Sequence, residues 1–252
     1  MELIAEPAFW ALAIPAVALA GISKGGLGGG GAGSIATPLI ALAIPPPVAA
    51  AIMLPLLCIM DLAGIKAYFG RWDRHLMRLL VAAGVIGCLA GAAAFRHLND
   101  NWIRVLIGAI AVGYVTYSLY PRKTLMRKPS DRAGWFWGAL AGFCSFTTHA
   151  GSPPLLVYLL PQRLDKVTFA ATTLMFFAAM NYVKILPYVW LGLFDLRNIT
   201  TSAALAPVGI AGIYFGIWLQ KRIDARWFYR VIHLLLLITG LKLLYDGITG
   251  LS

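Results

Sequence analysis

GISKGGLGGGGAGSIATP, residues 21–38, sits between two long apolar runs and holds eight glycines in the thirteen residues 21–33. Glycine inside a helix costs about 1 kcal/mol relative to alanine, so this density predicts a broken helix. At membrane depth a broken backbone must be buried in protein or line a wet cavity, because lipid offers it no partners. Lys24 lies in the expected break. A lysine among free backbone N–H groups points to a site for something negative.

Composition supports the membrane setting. Hydrophobic residues make up 60% of the 252 and charged residues 12%, about half the charged share of soluble domains. Mean hydropathy is +0.78. The expectation is an all-α polytopic membrane protein, a single transport domain over 1–252 in contact with the lipid bilayer. The start, MELIAEPAFW, has Glu2 and Glu6 but no basic residue. That is unlike the basic beginning of a cleaved signal peptide, so the first apolar run is expected to be retained.

The net charge of +11 would suggest nucleic acid in a soluble protein. Here the basic residues cluster in short loops and set topology, and no nucleic-acid partner is expected. Cys58, Cys88 and Cys144 lie in apolar segments at unrelated spacings. They match neither a metal cluster nor a disulfide framework. No metal or cofactor is expected, and nothing marks a particular oligomeric state.

Crossing the hydrocarbon takes about 20 helical residues. Six apolar segments reach or approach that length. Four are about half of it and form two pairs, 9–22 with 34–44 and 135–147 with 153–160. The pairs resemble each other. AGISKGGLGGGGAGSIATPLIALAIP (20–45) and AGFCSFTTHAGSPPLLVYLLP (141–161) both open on Ala-Gly. Both then carry Pro-Leu-Ile or Pro-Leu-Leu (from Pro38 and Pro154) and close on a proline seven residues later, Pro45 and Pro161. Met60-Asp61 is echoed by Met180-Asn181, and YFGRWD by WLGLFD. Two repeats are expected, 1–123 and 126–252, each a broken element plus three transmembrane helices. Interrupted segments at matching places in two halves point to a transporter's binding site.

Loop charge orients the chain. The linker 121–134 carries Arg122, Lys123, Arg127, Lys128 and Arg132 against Asp131 and is expected in the cytoplasm. The turns 70–75 and 220–227 are also basic, while 195–198 has one charge of each sign. The pattern closes if 135–160 enters and leaves on the cytoplasmic side. By symmetry 9–44 is then a re-entrant hairpin from outside, and three crossings per repeat make the repeats inverted; the alternative is two broken helices that span the membrane.

At each tip the returning arm is expected to present a helix N-terminus. Ser152-Pro153-Pro154 and Thr37-Pro38 carry start signals, and such ends favour anions. The substrate-binding candidates are therefore Lys24, Gly25, Gly30 and Thr37 around the first break, and Thr148, His149 and Ser152 around the second. Asn181 and Lys184 share a helix face with Tyr188. Asp61 is a candidate partner for a lysine or, with His149, a proton relay. Lys24, Lys66 and Lys184 against Asp61 leave an excess of positive charge that an anion would offset, although Lys66 lies near a helix end and can snorkel. Residues 26–31 match G-x-G-x-x-G, but no strand precedes them and no acid follows at the right distance, so a dinucleotide site is not expected.

The glycine-rich break followed by TPLIAL, together with HAGSPPLLVYLLPQRLDKVTFAATTLMFFAAMNYVKILPY, resembles the TauE/SafE family of sulfite and organosulfonate exporters. The resemblance spans both repeats. It implies an inner-membrane, multi-pass carrier exporting small sulfur-containing anions such as sulfite or sulfoacetate. The histidine in THAGSPP resembles a subgroup of that family. The competing expectation is a membrane-embedded enzyme using His149 with Ser152 or Cys144.

Overall fold

Helix starts follow the local sequence. Ser130 accepts a hydrogen bond from the backbone N–H of Ala133 and begins α6 (Asp131–Thr148). Asp165 accepts from Val167 and Thr168 and begins α8 (Lys166–Trp190). Such caps satisfy N–H groups that the first turn leaves free. Prolines at the first turn open α3 (Pro46–Tyr68). Gly70 and Gly192, both at positive φ, follow the ends of α3 and α8. The other elements are α1 (Pro7–Leu27), α2 (Ala36–Ile40), α4 (Arg74–Phe95), α5 (Asp100–Leu119), α7 (Ser152–Leu159), α9 (Leu196–Leu219) and α10 (Ala225–Thr249), with a 3-10 turn at Leu160–Gln162. This computed structural model describes residues 3–4, 6–27, 36–95, 97, 99–119, 128–149, 151–219 and 225–251.

The protein is all-α, and among the described residues five helices are long and apolar enough to cross a membrane. Its polarity is that of a membrane protein. Leu186, Val189 and Trp190 on α8 and Tyr214 and Phe215 on α9 are exposed, while Lys24, Asp61, Asn181 and Lys184 are buried.

The broken elements differ from the sequence expectation in one respect. Their first arms are not half-length: α1 has 21 residues and α6 has 18, or about 31 and 27 Å at 1.5 Å per residue. The helix runs on through Gly25 into the glycine-rich stretch. Lys24 therefore occupies the last turn of α1 rather than a break. The reason is packing: a Cβ on Gly21 would meet the backbone of Gly209 and Gly212, and one on Gly25 the backbone of Ile213, all on α9. These glycines permit a close helix crossing of the small-residue kind, which outweighs their poor helix propensity.

Helix directions follow from such contacts. Gly21 lies near Gly209 and Gly216 near Ile22, so α1 and α9 run parallel. Ser202 reaches the Ile52 carbonyl and Gly209 lies against Met60, so α9 is also parallel to α3. On the other side α4 is parallel to α6, with Gly134 beside Leu79 and Gly91 beside Phe146. The starts of α4, α6 and α8 meet at one end of the bundle, where His75 pairs with Asp131 and the Asp73 N–H donates to Thr172 Oγ1. Between these groups α3 and α8 run antiparallel, Asp61 facing Asn181 and Gly64 facing Leu174. α5 and α10 are antiparallel as well, Gly108 lying near Leu244 and Asn101 near Gly250.

Each broken element consequently starts and finishes at one end of the bundle, and the two use opposite ends. The return is direct in the second: Gly134, at the start of α6, lies against Tyr158, near the end of α7. In the first, α2 is a single short helix continued by turns to Ile44. Arg104 of α5 ties it down by donating to the Ala41 carbonyl at 2.7 Å.

Candidate functional site

The returning hairpins and the antiparallel pair α3/α8 converge on a small internal cavity of about 30 Å³, room for one or two waters. The last turn of α1 brings Lys24 to it, α3 brings Asp61, α6 brings Ser145 and its cap His149, α7 brings Ser152, and α8 brings Asn181 and Lys184. Leu57, Leu174 and Phe177 complete the wall. Six of the residues singled out from sequence thus meet at one place.

Lys24 forms an ion pair with Asp61 and donates to the Leu57 carbonyl at 3.1 Å. The other carboxylate oxygen of Asp61 accepts from Asn181 Nδ2 at 2.7 Å. Both oxygens are therefore engaged, one by a charge and one by an amide.

Lys184 has different company. It is fully buried and donates to the Ser145 carbonyl at 3.0 Å, to Ser145 Oγ at 3.1 Å and to His149 Nδ1 at 2.8 Å. Three N–H groups meet three acceptors, all neutral. Among the described residues no carboxylate lies within ion-pair distance of it. Of the excess charge expected from sequence, Lys24 is paired and Lys66 is exposed near the end of α3. Lys184 remains.

His149 is held from three directions. It caps α6 in the left-handed region at φ 53°, with its N–H on the Ser145 carbonyl, a conformation uncommon outside glycine. Its Nε2 lies 3.0 Å from the Ala50 carbonyl, so Nε2 carries the proton and Nδ1 accepts from Lys184. The Ala50 carbonyl stands near a gap in the α3 ladder. Pro55 has no N–H to give to Ala51, and the flanking carbonyls of Ala50 and Ile52 accept from His149 and Ser202.

Both ring nitrogens of His149 are therefore engaged, by the Ala50 carbonyl and by Lys184. Cys144 is buried in α6 and does not line the cavity.

The remaining candidates fall elsewhere. Gly25 packs on the Ile213 backbone and faces α9. Thr37 is buried inside α2, away from the cavity wall, and its hydroxyl has no partner among the described residues. Thr148 is the last residue of α6. Gly30 lies outside the described residues. Nor do two matching helix N-termini face each other. α2 has only five residues, and the α7 start, though Ser152 lines the cavity, has lost two N–H donors to Pro153 and Pro154. Charge at this site comes chiefly from side chains.

Sequence reasoning missed Ser145 and the carbonyls of Leu57 and Ala50. The repeat register does contain Ser145: aligning Ala20-Gly21 with Ala141-Gly142 sets it opposite Lys24.

The chain matches the family model described as Sulfite exporter TauE/SafE over residues 13–243. No curated protein and no solved structure gives a match.

Proposed function

The chain belongs to the sulfite exporter TauE/SafE family, and from that premise we propose that it exports small sulfur-containing anions across the inner membrane through the cavity between α3 and α8. It is a multi-pass membrane protein of a transporter family. The observation that carries the site is Lys184, a buried lysine on a cavity wall with no carboxylate partner among the described residues. A cation in such a place is expensive to bury and marks a substrate path. An oxyanion arriving there takes one of its N–H groups from a neutral acceptor and brings the opposite charge that those acceptors lack.

The helix directions support two inverted repeats with re-entrant broken elements. Equivalent helices face each other antiparallel (α3 with α8, α5 with α10), and the pairings α1/α9 and α6/α4 are the same pairing made twice. A site between two such halves opens to alternate sides as one half rocks on the other.

The test uses liposomes loaded with labelled sulfite, at equal pH on both sides and under an imposed potential. Each negative charge leaving a negative interior gains about 2.3 kcal/mol per 100 mV. Efflux of unconverted sulfite that rises with the potential is expected, and Lys184→Met abolishes it. Efflux that follows only a pH gradient removes the uncoupled electrogenic reading and makes Asp61 and His149 the proton sites to examine. Chemical conversion of sulfite without flux removes the carrier reading.

A further inference from the structure

The polar cluster has two parts that differ in charge. Lys24, Asp61 and Asn181 form a closed unit of one cation, one anion and one amide, with both carboxylate oxygens in use. Lys184 and its acceptors form the other, and His149 is neutral there, donating through Nε2 and accepting at Nδ1. The two lysines against one aspartate leave the cavity wall with one net positive charge.

A buried cation is matched by one negative charge, and a second negative charge beside it would be buried without a partner. The rest of the wall supplies no second positive charge: Ser152 brings a neutral hydroxyl, and Leu57, Leu174 and Phe177 offer no side-chain donor. We propose that Asp61 sets the charge of the bound species. By neutralising Lys24 it makes the site select a monoanion, hydrogen sulfite or the singly charged head of an organosulfonate, over dianions such as sulfite itself or sulfate. This assignment rests on the anion-carrier reading above.

Titration calorimetry on the full chain in lipid nanodiscs tests it, with methanesulfonate as the fixed monoanion and sulfate as the fixed dianion. The parent protein binds methanesulfonate more tightly. Asp61→Asn keeps a carbonyl acceptor for Lys24 but removes the negative charge, and moves the ratio toward sulfate on the order of tenfold. Lys24→Gln leaves no net charge and weakens methanesulfonate on the order of tenfold. The double variant Lys24→Gln with Asp61→Asn restores one net positive charge and the parental preference, and it carries the test if Asp61→Asn alone does not fold. A parent that takes sulfate as tightly as methanesulfonate overturns the proposal. So does a folded Asp61→Asn whose ratio does not move, or a folded double variant that prefers sulfate. Lys184→Gln separates this from the carrier reading. Loss of both ligands keeps the site in place, whereas unchanged binding, or no binding by the parent, overturns the site itself.

Discussion

Lys24 and Lys184 are both buried and differ in what faces them, and the difference predicts opposite phenotypes. Removing Lys24 leaves Asp61 ionised with only an amide for company. Breaking one side of a buried pair costs about 3–5 kcal/mol, so Lys24→Ala should unfold well below the parent in a thermal melt. Lys184→Met removes a cation whose acceptors are neutral. It should melt close to the parent yet bind no anion in titration. A Lys184→Met protein that melts early and a Lys24→Ala protein that does not would reverse the roles assigned to the two. These lysines, with Asp61, Asn181 and His149, were legible from sequence because polar groups inside apolar runs are rare and expensive. Ser145 was not, since an isolated serine is common in membrane helices. The carbonyls of Ala50 and Leu57 could not be seen at all, because every residue has one and only the fold says which is turned toward a side chain.

At the scale of the helix, glycine has two meanings that a linear reading does not separate. The break expected in the first half falls too early because glycine density alone marks Gly21 and Gly25 as breakers, whereas in the fold they admit α9. The same device recurs where α4 meets α6, and there a Cβ on Gly142 would run into the Gly84 backbone. Overpacking of this kind costs about 1–3 kcal/mol or more, so Gly142→Val should lower the denaturation midpoint followed by tryptophan fluorescence. Gly113→Ala is the control. Nothing lies within 4 Å of its Cβ position, and the gain in helix propensity is about 1 kcal/mol. Stabilisation by both substitutions would mean that helix propensity, not close approach, governs these positions.

For the molecule as a whole, loop charge and helix direction agree on orientation. α3, α5 and α9 finish, and α4, α6, α8 and α10 begin, at the end of the bundle where His75 meets Asp131. The described residues at that end include Arg71, Arg74 and Arg132. With Cys58, Cys88 and Cys144 replaced, single cysteines at Ser130 and Leu251 should react with impermeant reagents from opposite sides of the membrane. Reaction of both from one side would end the inverted, re-entrant reading. The lacing of the two halves also bears on how the chain is made. α1 is complete at residue 27 and its close partner α9 begins at residue 196, a wait of roughly 10–30 s at 5–20 residues per second. Over that interval the glycine face of α1 has no α9 to rest on. Its lysine does not wait as long, because Asp61 emerges only 37 residues after it. Lys184 likewise arrives when Ser145 and His149 are already present. Each buried charge finds its first partner within its own half during synthesis, and the small-residue surfaces and the Asp61–Asn181 bond join the halves afterwards.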